Sequence, residues 1–319
     1  TNRLLQLAKL CRWIAVSQFT KDLGQRMKLI INPLQPGTDF AAEVLNLDLQ
    51  KPLSEEEFSS IRDAFYAFSV LVLRNQNIND DQQIEFSERF GALETSLGFD
   101  QYGGVTRPEI SRISNVGNDN QIRPHDHEKS RYHRGNNLWH SDSSFKPIPA
   151  NISLLSGREV PPVGGETQFA DTRAAYDAWP GSTSGVMKND IEELICEHSI
   201  VFSRQLIVGD IFTDDEKRKL KPVRQALIRK HSETRRKVFY VGSHCHFVEG
   251  WEYARSRALI TELTSWITRP EFVYSHKWQP LDFVMWDNQA VLHRGNPWPD
   301  EDYRRVMHRT TVAGQSPTV

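Results

Sequence analysis

The stretch Asn136–Phe145, with the sequence NNLWHSDSSF, places an imidazole and a carboxylate two residues apart, at His140 and Asp142. In an extended segment, residues two apart face the same side. One histidine and one carboxylate on a shared face are two of the three ligands of the 2-His-1-carboxylate triad, which binds Fe(II) and leaves positions open for substrate and O₂. Trp139 and Phe145 can form a dry wall around such a site. The stretch therefore predicts part of a catalytic metal centre.

The third ligand has to come from a distant strand. His293 is our candidate, because it follows a predicted strand-turn-strand at 283–292. The His-x-acid spacing alone is a weak signal in a chain with eleven histidines, since His231 begins a second match, His-Ser-Glu. We set His231 aside because it lies in the basic run 228–237, which we interpret as a solvated turn where cationic repulsion opposes a metal. For His293 the alternative is an ordinary core or surface histidine.

Two arginines follow His293 at the last predicted strand of the chain. Arg305 and Arg309 share one face of an extended segment, with Met307 between them. Two inward cations in an apolar barrel are costly unless each meets an anion. A planar guanidinium binds a carboxylate with two parallel bonds, so the pair predicts anionic ligands such as the keto acid 2-oxoglutarate. The alternative is that both arginines face solvent on the outside of the barrel. In that case Val306 and every second residue after it would have to fill the core.

The predicted elements are short strands with capped helices between them. Ser54 with Glu57, and Asn79 with Gln82, form capping boxes that begin two helices. Asp171 caps a third helix, and a fourth covers 251–267, while 181–235 is predicted as a mixture of helix and loop. The predicted strands are 28–31, 41–49, 69–73, 152–155, 166–169, 237–241, 272–278, 283–286, 290–292 and 306–312. This pattern predicts a mainly β fold with flanking helices, built on a double-stranded β-helix or jelly-roll core.

We interpret residues 28–319 as one jelly-roll domain. Residues 1–27 are basic and lack a cleavage-site pattern, so they are predicted to be an N-terminal extension outside the fold; a targeting segment is the alternative. The polar stretch 93–136 is predicted to be a long loop and, because it leads into the His140 segment, a lid.

The composition gives no reason to expect nucleic acid or a membrane as a partner. The net charge of −2 gives no reason to expect nucleic acid or a membrane surface, and no apolar run has the length of a membrane-spanning helix. The three cysteines are scattered, which favours a reducing, cytoplasmic compartment. The basic run 228–237 lacks the interleaved aromatics of a nucleic-acid surface.

Taken in order, the motifs resemble the taurine dioxygenase superfamily of Fe(II)/2-oxoglutarate-dependent dioxygenases, and most of all its 2,4-dichlorophenoxyacetate dioxygenase branch. The resemblance covers roughly residues 28–315. The segments that carry it are LWHSDSSF at 138–145, GGETQF at 164–169, DTRAAYD at 171–177, VMWDN at 284–288, LHRG at 292–295, and the arginines 304, 305 and 309. The combination in this order is specific, although each piece alone is not.

The resemblance implies Fe(II), 2-oxoglutarate and O₂ as cofactor and co-substrates, and a role for each matching residue. His140, Asp142 and His293 match the iron ligands. Thr167 and Arg305 match the pair that holds the far carboxylate of 2-oxoglutarate. The substrate side is matched by Arg309, at the position that binds the substrate's anionic group, by Asn136, at a position that lines the site, and by His244, where the herbicide branch also has a histidine. Barrels of this family often associate, so a homo-oligomer is expected.

The chain departs from the family pattern in three places. The gap between His293 and Arg305 is one residue longer, the usual glycine before the 284–288 strand is replaced by the run 280–282, and 93–135 matches no branch. The substrate therefore stays open among small organic anions: aryloxyalkanoates, whose hydroxylation would cleave the ether, N-acyl amino acids, and sulfonates or sulfates. A jelly-roll metal sensor would not need Thr167 with Arg305, and a zinc hydrolase would not explain two buried arginines.

Overall fold

The structure is a computed structural model and describes residues 29–95, 107–183 and 185–319. Within these ranges the strands are β1 (Ile30–Pro33), β2 (Ala42–Leu45), β3 (Val70–Leu73), β4 (Ser111–Ser114), β5 (Ile152–Glu159), β6 (Thr167–Asp171), β7 (Ile195–His198), β8 (Val223–Ala226), β9 (Ile228–Lys230), β10 (Lys237–Phe239), β11 (Cys245–Val248), β12 (Val273–His276), β13 (Phe283–Asp287), β14 (Val291–Gly295) and β15 (Val306–Val312). The helices are α1 (Glu55–Phe68), α2 (Asp80–Glu88), α3 (Glu128–Arg134), α4 (Thr172–Ala178), α5 (Lys188–Ile191), α6 (Ile200–Val208), α7 (Asp214–Lys219) and α8 (Tyr253–Ile267), with 3₁₀ turns at Gly135–Asn137 and Pro270–Phe272. None of these helices is long and apolar enough to cross a membrane. The predicted extension, residues 1–27, lies outside the described ranges.

Two sheets carry the architecture. The larger sheet has seven strands in the order β1-β2-β3-β13-β5-β15-β4, and a three-stranded sheet has the order β12-β6-β14. Neighbouring strands in both are antiparallel except β2 and β3. From β12 to β15 the chain therefore alternates between the two sheets with every strand. Two smaller sheets, β11-β7-β8 and β10-β9, complete the pairing among the described residues.

Helices α1 and α2 cover one face of the seven-stranded sheet. The capping box is present at the start of α1, where the Glu57 amide donates to Ser54 Oγ and the Ser54 amide donates to Glu57 Oε2. The apolar stripe of these helices packs on alternate residues of the sheet, and this cluster includes Phe58, Ile61, Phe65, Phe68, Phe86, Leu71, Leu73, Leu154, Phe283 and Met285. Complete burial of each such side chain contributes roughly 1.5–3 kcal/mol.

The opposite face of the large sheet packs against the three-stranded sheet. Val284, Trp286 and Met307 from the large sheet meet Phe169 and Val291 from the small one. The outer face of the small sheet is covered in turn by α4 and α8, in a cluster that includes Ala170, Leu292, Tyr176, Leu259 and Leu263. Because side chains alternate along a strand, Leu292 faces these helices and the next residue, His293, faces inward between the sheets.

Several elements differ from their predicted form. The stretch 93–136 is not structureless in its described part, since it contains β4, which pairs with β15 at the edge of the large sheet, and helix α3. The region 181–235 contains the strands β7, β8 and β9, and β11 was not predicted. These strands have three or four residues each and mixed burial, so their pairing partners rather than a local apolar pattern hold them in place.

Candidate active site

The two histidines of the predicted triad lie opposite each other on paired backbones. The amide of His140 donates to the carbonyl of His293 at 3.0 Å, and the amide of His293 donates to the carbonyl of His140 at 2.8 Å. This bridge ties the segment of His140 to β14, which is itself paired with β6. The two ring centroids are 4.2 Å apart. Long-range pairing therefore brings together two residues that are distant in the chain.

Asp142 is oriented by β5 and by the turn between β13 and β14. The Ser153 hydroxyl donates to Asp142 Oδ2 at 2.7 Å, and the Asp142 amide donates to Asn288 Oδ1 at 3.2 Å. Asn288 Nδ2 in turn donates to Ser153 Oγ at 2.9 Å, so the three residues form a closed ring of hydrogen bonds. The Ser141 hydroxyl adds a bond to the Asn288 carbonyl at 2.7 Å. The carboxylate is thus held on the side of the two histidines.

The three predicted ligands converge. His140 Nε2 lies 3.9 Å from Asp142 Oδ1, and His293 Nε2 lies 3.6 Å from Asp142 Oδ2. One ligand atom from each residue falls within 4.8 Å of the others, and all three residues are buried. His140 Nδ1 is 2.7 Å from the Leu138 carbonyl. Because a carbonyl only accepts, Nδ1 carries the proton and Nε2 presents its lone pair, as in metal-binding histidines. Two imidazoles and a carboxylate are a donor set that fits Fe(II).

The protonation states suit metal binding. Burial lowers the pKa of His293 to about 3, and the neighbouring His140 adds to this effect. Burial also lowers the pKa of His140, although Asp142 opposes the shift. For Asp142 itself burial would raise the pKa, but Arg309, the two histidines and the Ser153 bond outweigh it and hold the pKa well below its ordinary range. Near neutral pH the site therefore offers two neutral imidazoles and an ionised carboxylate.

Arg309 lies on the inner face of β15, as predicted. Its Nη1 donates to Asp142 Oδ1 at 2.7 Å, while Met307 on the same face packs in the core between the sheets. His308 and Thr310 project from the other face toward α2, where they contact Asp80 and Ser87. The predicted alternation along this strand is therefore present, and it places a cation beside the triad.

Arg305 is a buried cation that has no counter-ion in the described part of the chain. The residue is 6% exposed, and its guanidinium forms no hydrogen bond or ion pair with any described residue. The ring centroid of Trp298 lies 5.1 Å from its Cζ, and a Cβ at Gly165 would lie 3.5 Å from its Nε. Burial lowers its pKa to about 10, which leaves it charged at neutral pH. A buried guanidinium in this state has donors that an anion can occupy.

Thr167 lies at the start of β6, two residues after Gly165, and so in the same neighbourhood as Arg305. It is 4% exposed, and its hydroxyl accepts a hydrogen bond from Trp278 Nε1 at 2.9 Å. With that lone pair used, the hydroxyl proton can be donated to another acceptor. Thr167 and Arg305 do not line the cavity described next.

A cavity reaches His140 and Asp142 from one side. Its lining includes Asn136, Phe145, Arg309 and His244. Asn136 belongs to the 3₁₀ turn before the His140 segment. His244 is 2% exposed and pairs with Ser203 Oγ at 2.8 Å through Nδ1, and its ring meets the His140 ring edge-on at 5.7 Å. Burial first, then the neighbouring His140, keeps the pKa of His244 well below its ordinary value. The cavity is thus the open side of the triad.

The prediction that His231 lies in a solvated turn was wrong. His231 is 1% exposed, and its Nε2 lies 2.6 Å from Asp287 Oδ2. Its Nδ1 accepts from the amides of Glu233 and Thr234, both at 3.1 Å. Lys230, Arg235 and Lys237 are exposed, whereas the imidazole of His231 is buried behind the turn. His231 therefore closes the turn onto β13 and is not part of the triad.

Ser153 and Asn288 were not predicted as site residues. Asn288 ended a quoted motif but had no assigned role, and nothing in the local sequence distinguishes Ser153 from the other serines. Their roles depend on the pairing of β5 with β13, which places Ser153 opposite Trp286. Only the register of that pair could have identified them.

Comparison with known proteins identifies the family. The family model described as taurine catabolism dioxygenase TauD, TfdA family matches residues 31–311. The chain is 40% identical over 292 residues to the alpha-ketoglutarate-dependent 2,4-dichlorophenoxyacetate dioxygenase of Cupriavidus pinatubonensis, covering 90% of this chain and 98% of that protein. It is 32% identical over 295 residues to the (S)-phenoxypropionate/alpha-ketoglutarate-dioxygenase of Delftia acidovorans, covering 88% and 94%.

A solved structure gives the same result. The crystal structure of AAD-2 in complex with Mn(II) and N-oxalylglycine superposes with a TM-score of 0.82 at 42% identity, covering 92% of this chain and 99% of that one. The chain therefore belongs to the TauD, TfdA family and is an Fe(II)- and 2-oxoglutarate-dependent dioxygenase that uses O₂.

Proposed function

We propose that this dioxygenase hydroxylates small carboxylates with an apolar or aromatic body, and that aryloxyalkanoates are its substrate class. The observation that carries the proposal is the cavity at the triad, where Arg309 lies beside Asp142 and Phe145 contributes an aromatic wall. The two relatives above are named for 2,4-dichlorophenoxyacetate and (S)-phenoxypropionate, which combine a carboxylate with an aryl ether. Both findings support a substrate with one anionic and one aromatic end.

The metal is assigned to His140, Asp142 and His293, through the Nε2 atoms and the carboxylate. When bound there, Fe(II) supplies the activation of O₂, with 2-oxoglutarate as the two-electron reductant that becomes succinate and CO₂. The contribution of the chain is to present two neutral imidazoles and one fixed carboxylate. Ser153 and Asn288 support that contribution, because hydrogen bonds from outer groups orient the ligands and raise metal affinity.

The far carboxylate of 2-oxoglutarate is assigned to Arg305 and Thr167. The buried guanidinium would gain the counter-ion that it lacks among the described residues, and Thr167 would add its hydroxyl proton. The substrate's carboxylate is assigned to Arg309, with Asn136 lining the same cavity.

The position of hydroxylation decides the product. If the carbon between the ether oxygen and the carboxylate is hydroxylated, one atom of O₂ enters as a hydroxyl and gives a hemiacetal. The bond between the hemiacetal carbon and the ether oxygen then breaks, so that the ether oxygen leaves with the ring as phenoxide. The hydroxyl proton passes to this phenoxide, leaving a phenol and an oxo acid. If the attacked carbon has only carbon and hydrogen neighbours, the product is a stable alcohol. The chain's part in either case is to hold the substrate carbon near the metal and to exclude water.

We also propose that the seven-stranded and three-stranded sheets are the two sheets of a jelly roll, since the chain alternates between them from β12 to β15. Residues 28–319 would then form one domain, with 1–27 outside it. We also propose that the protein is a homo-oligomer and that it is located in the cytoplasm. Two buried cysteines without a disulfide, Cys196 and Cys245, support a reducing compartment.

The test is succinate release from 2-oxoglutarate in the presence of Fe(II), ascorbate and O₂. The panel contains aryloxyacetates, N-acyl amino acids, and alkyl sulfonates and sulfates, with phenol release as a second readout for the first group. We expect stimulation by aryloxyacetates and none in an Asp142→Ala variant. Stimulation by sulfonates or N-acyl amino acids alone would replace the proposed substrate class with that alternative.

A further inference from the structure

A second arginine, Arg204, lines the cavity together with Arg309 and has no role in the site as described so far. It lies on α6 and is 4% exposed. The cavity wall that contains it also contains His140, Asp142 and Arg309. Arg204 is therefore a buried cation on the open side of the triad.

Arg204 has no counter-ion among the residues that the structure describes. Its Nη2 donates to Asn136 Oδ1 at 3.0 Å, which is a neutral acceptor, and its Nε and Nη1 have no hydrogen-bond acceptor among the described residues. The other cations of the cavity wall are matched by carboxylates: Lys146 lies 2.7 Å from Glu94, and Arg309 lies 2.7 Å from Asp142. A buried unpaired charge is costly, so an anion that enters the cavity gains most at Arg204.

The guanidinium of Arg204 is held in place by the residues around it. The ring centroid of Tyr132 lies 4.6 Å from its Cζ, as in a cation–π contact. Gly135 leaves room for it, because a Cβ at that position would lie 2.4 Å from Nη1 and 2.5 Å from Cζ. Tyr132, Gly135 and Asn136 all belong to the segment just before the triad. Arg131 joins this segment to α6 by a bond from Nη2 to the Val208 carbonyl at 2.8 Å.

We infer that Arg204 is a second anion-binding residue of the substrate pocket, and that its charge, which no described carboxylate pairs with, makes the enzyme prefer a carboxylate over a neutral analogue of the same shape. The inference rests on the proposed function, because it assigns the substrate's anionic end to this cavity. Arg309 is paired with the metal ligand Asp142, whereas no described carboxylate is paired with Arg204.

The experiment measures binding by calorimetry to the enzyme loaded with Mn(II) and 2-oxoglutarate. The probes are phenoxyacetate and phenoxyacetamide, which differ in charge but hardly in shape. We expect the wild type to prefer the acid, and Arg204→Gln to lose roughly 10- to 100-fold in affinity for the acid, the range expected for a hydrogen bond to a charged group. Affinity for the amide should change little, and Arg204→Lys should restore part of the preference.

Arg131→Gln is the matched control, because it removes an arginine between the same two helices that does not line the cavity. It should leave the acid-to-amide ratio unchanged. The inference is overturned if the wild type shows no preference for the acid, if Arg204→Gln weakens acid and amide equally, or if it weakens 2-oxoglutarate binding instead. Binding of phenoxyacetate with the expected ratio but without succinate release would count against the proposed reaction and not against Arg204.

Discussion

At the scale of single residues, Asp142 depends on the hydroxyl of Ser153, which donates to Oδ2 at 2.7 Å. Replacing Ser153 with alanine should lower the affinity for Fe(II) or Mn(II) by roughly 10- to 100-fold, the usual cost of losing an outer hydrogen bond to a metal ligand. The reason is that the carboxylate would lose one of the bonds that orient it toward the histidines. Metal affinity can be measured by calorimetry on the metal-free protein.

Ser156 provides the control for this prediction. It is a buried serine on the same strand, 3% exposed, and its hydroxyl does not contact Asp142. Ser156→Ala should leave metal affinity unchanged. An equal loss in both variants would show that the effect comes from the packing of β5 and not from the bond to Asp142.

Arg305 gives a second residue-scale prediction. Arg305→Gln should raise the Kd for 2-oxoglutarate by roughly 10- to 100-fold, because a carboxylate would lose its charged hydrogen-bond donors. Metal affinity should stay the same. Equilibrium binding of 2-oxoglutarate to the Mn(II)-loaded protein measures the effect.

The adjacent Arg304 is a close control. Its Nε and Nη2 already pair with Glu159 at 2.6 and 3.0 Å, so it is not available to the co-substrate. Arg304→Gln should leave the Kd for 2-oxoglutarate unchanged. If Arg305→Gln also left it unchanged, the assignment of the far carboxylate to Arg305 would be wrong.

The sequence was sufficient to single out residues that form an uncommon pattern within a short stretch of the chain. His140 and Asp142 stand two apart in an apolar setting, and Arg305 and Arg309 follow a strand pattern. It could not predict Ser153 as a support of the triad, because that role exists only once β5 is paired with β13. It misjudged the environment of His231, because the charged neighbours in sequence do not reveal that the imidazole reaches a buried carboxylate.

At the scale of elements, the start of α4 contains a buried ion pair. Asp171 Oδ1 accepts from the amides of Arg173 and Ala174 at 2.9 and 3.2 Å, and the carboxylate also binds the Arg173 guanidinium. Burial would raise the pKa of Asp171, but the charge of Arg173 outweighs it, and the pKa is lowered from 3.8. A lowered folded-state pKa stabilises the fold above pH 3.8, and this contribution is lost as the pH falls below that value.

Asp171→Asn should lower the free energy of unfolding at pH 7 by about 3–5 kcal/mol, because it leaves the buried Arg173 without its partner. The variant should also lose stability less steeply than the wild type below pH 4, since one depressed carboxyl group no longer titrates. Urea unfolding at a series of pH values measures both effects.

Asp177 supplies the comparison on the same helix. Its side chain is 43% exposed and pairs with Arg236 at 2.9 Å. Because an exposed pair contributes at most about 1 kcal/mol, Asp177→Asn should have a small effect on the free energy of unfolding. Equal losses in the two variants would contradict the special role of burial at Asp171.

Elements with their own capping chemistry were predicted well. The capping boxes at Ser54 and Asn79 begin α1 and α2 as predicted, and β15 spans the predicted residues. The predicted strand 152–155 was four residues too short, because the second half of β5 continues through polar residues that pair with β15. Where the local apolar pattern ends but strand pairing continues, the sequence underestimates the length of the strand.

At the scale of the whole molecule, the site joins elements that are far apart in the chain. His293 comes from the small sheet, Arg309 from the large one, and Asp142 from the segment between α3 and β5. Their convergence depends on the two sheets facing each other around Phe169, Trp286 and Met307. The pattern of short strands predicted a mainly β fold, and the order of the motifs predicted the family, which the match over residues 31–311 shows. A site of this kind exists only in the folded chain, so its ligands should stabilise the whole molecule.

Mn(II) and 2-oxoglutarate, each at about 100 times its Kd, should each raise the free energy of unfolding by about 2.7 kcal/mol, because a ligand that binds only the folded state shifts the equilibrium by mass action. A chelator should remove the Mn(II) increment. Asp142→Ala should abolish that increment, whereas Arg305→Gln should keep it and lose about half or more of the 2-oxoglutarate increment. Urea unfolding of each protein, with and without each ligand, measures all of these increments. If Mn(II) stabilised Asp142→Ala as much as the wild type, the metal would bind elsewhere, and the triad would not be the centre on which the catalytic proposal depends.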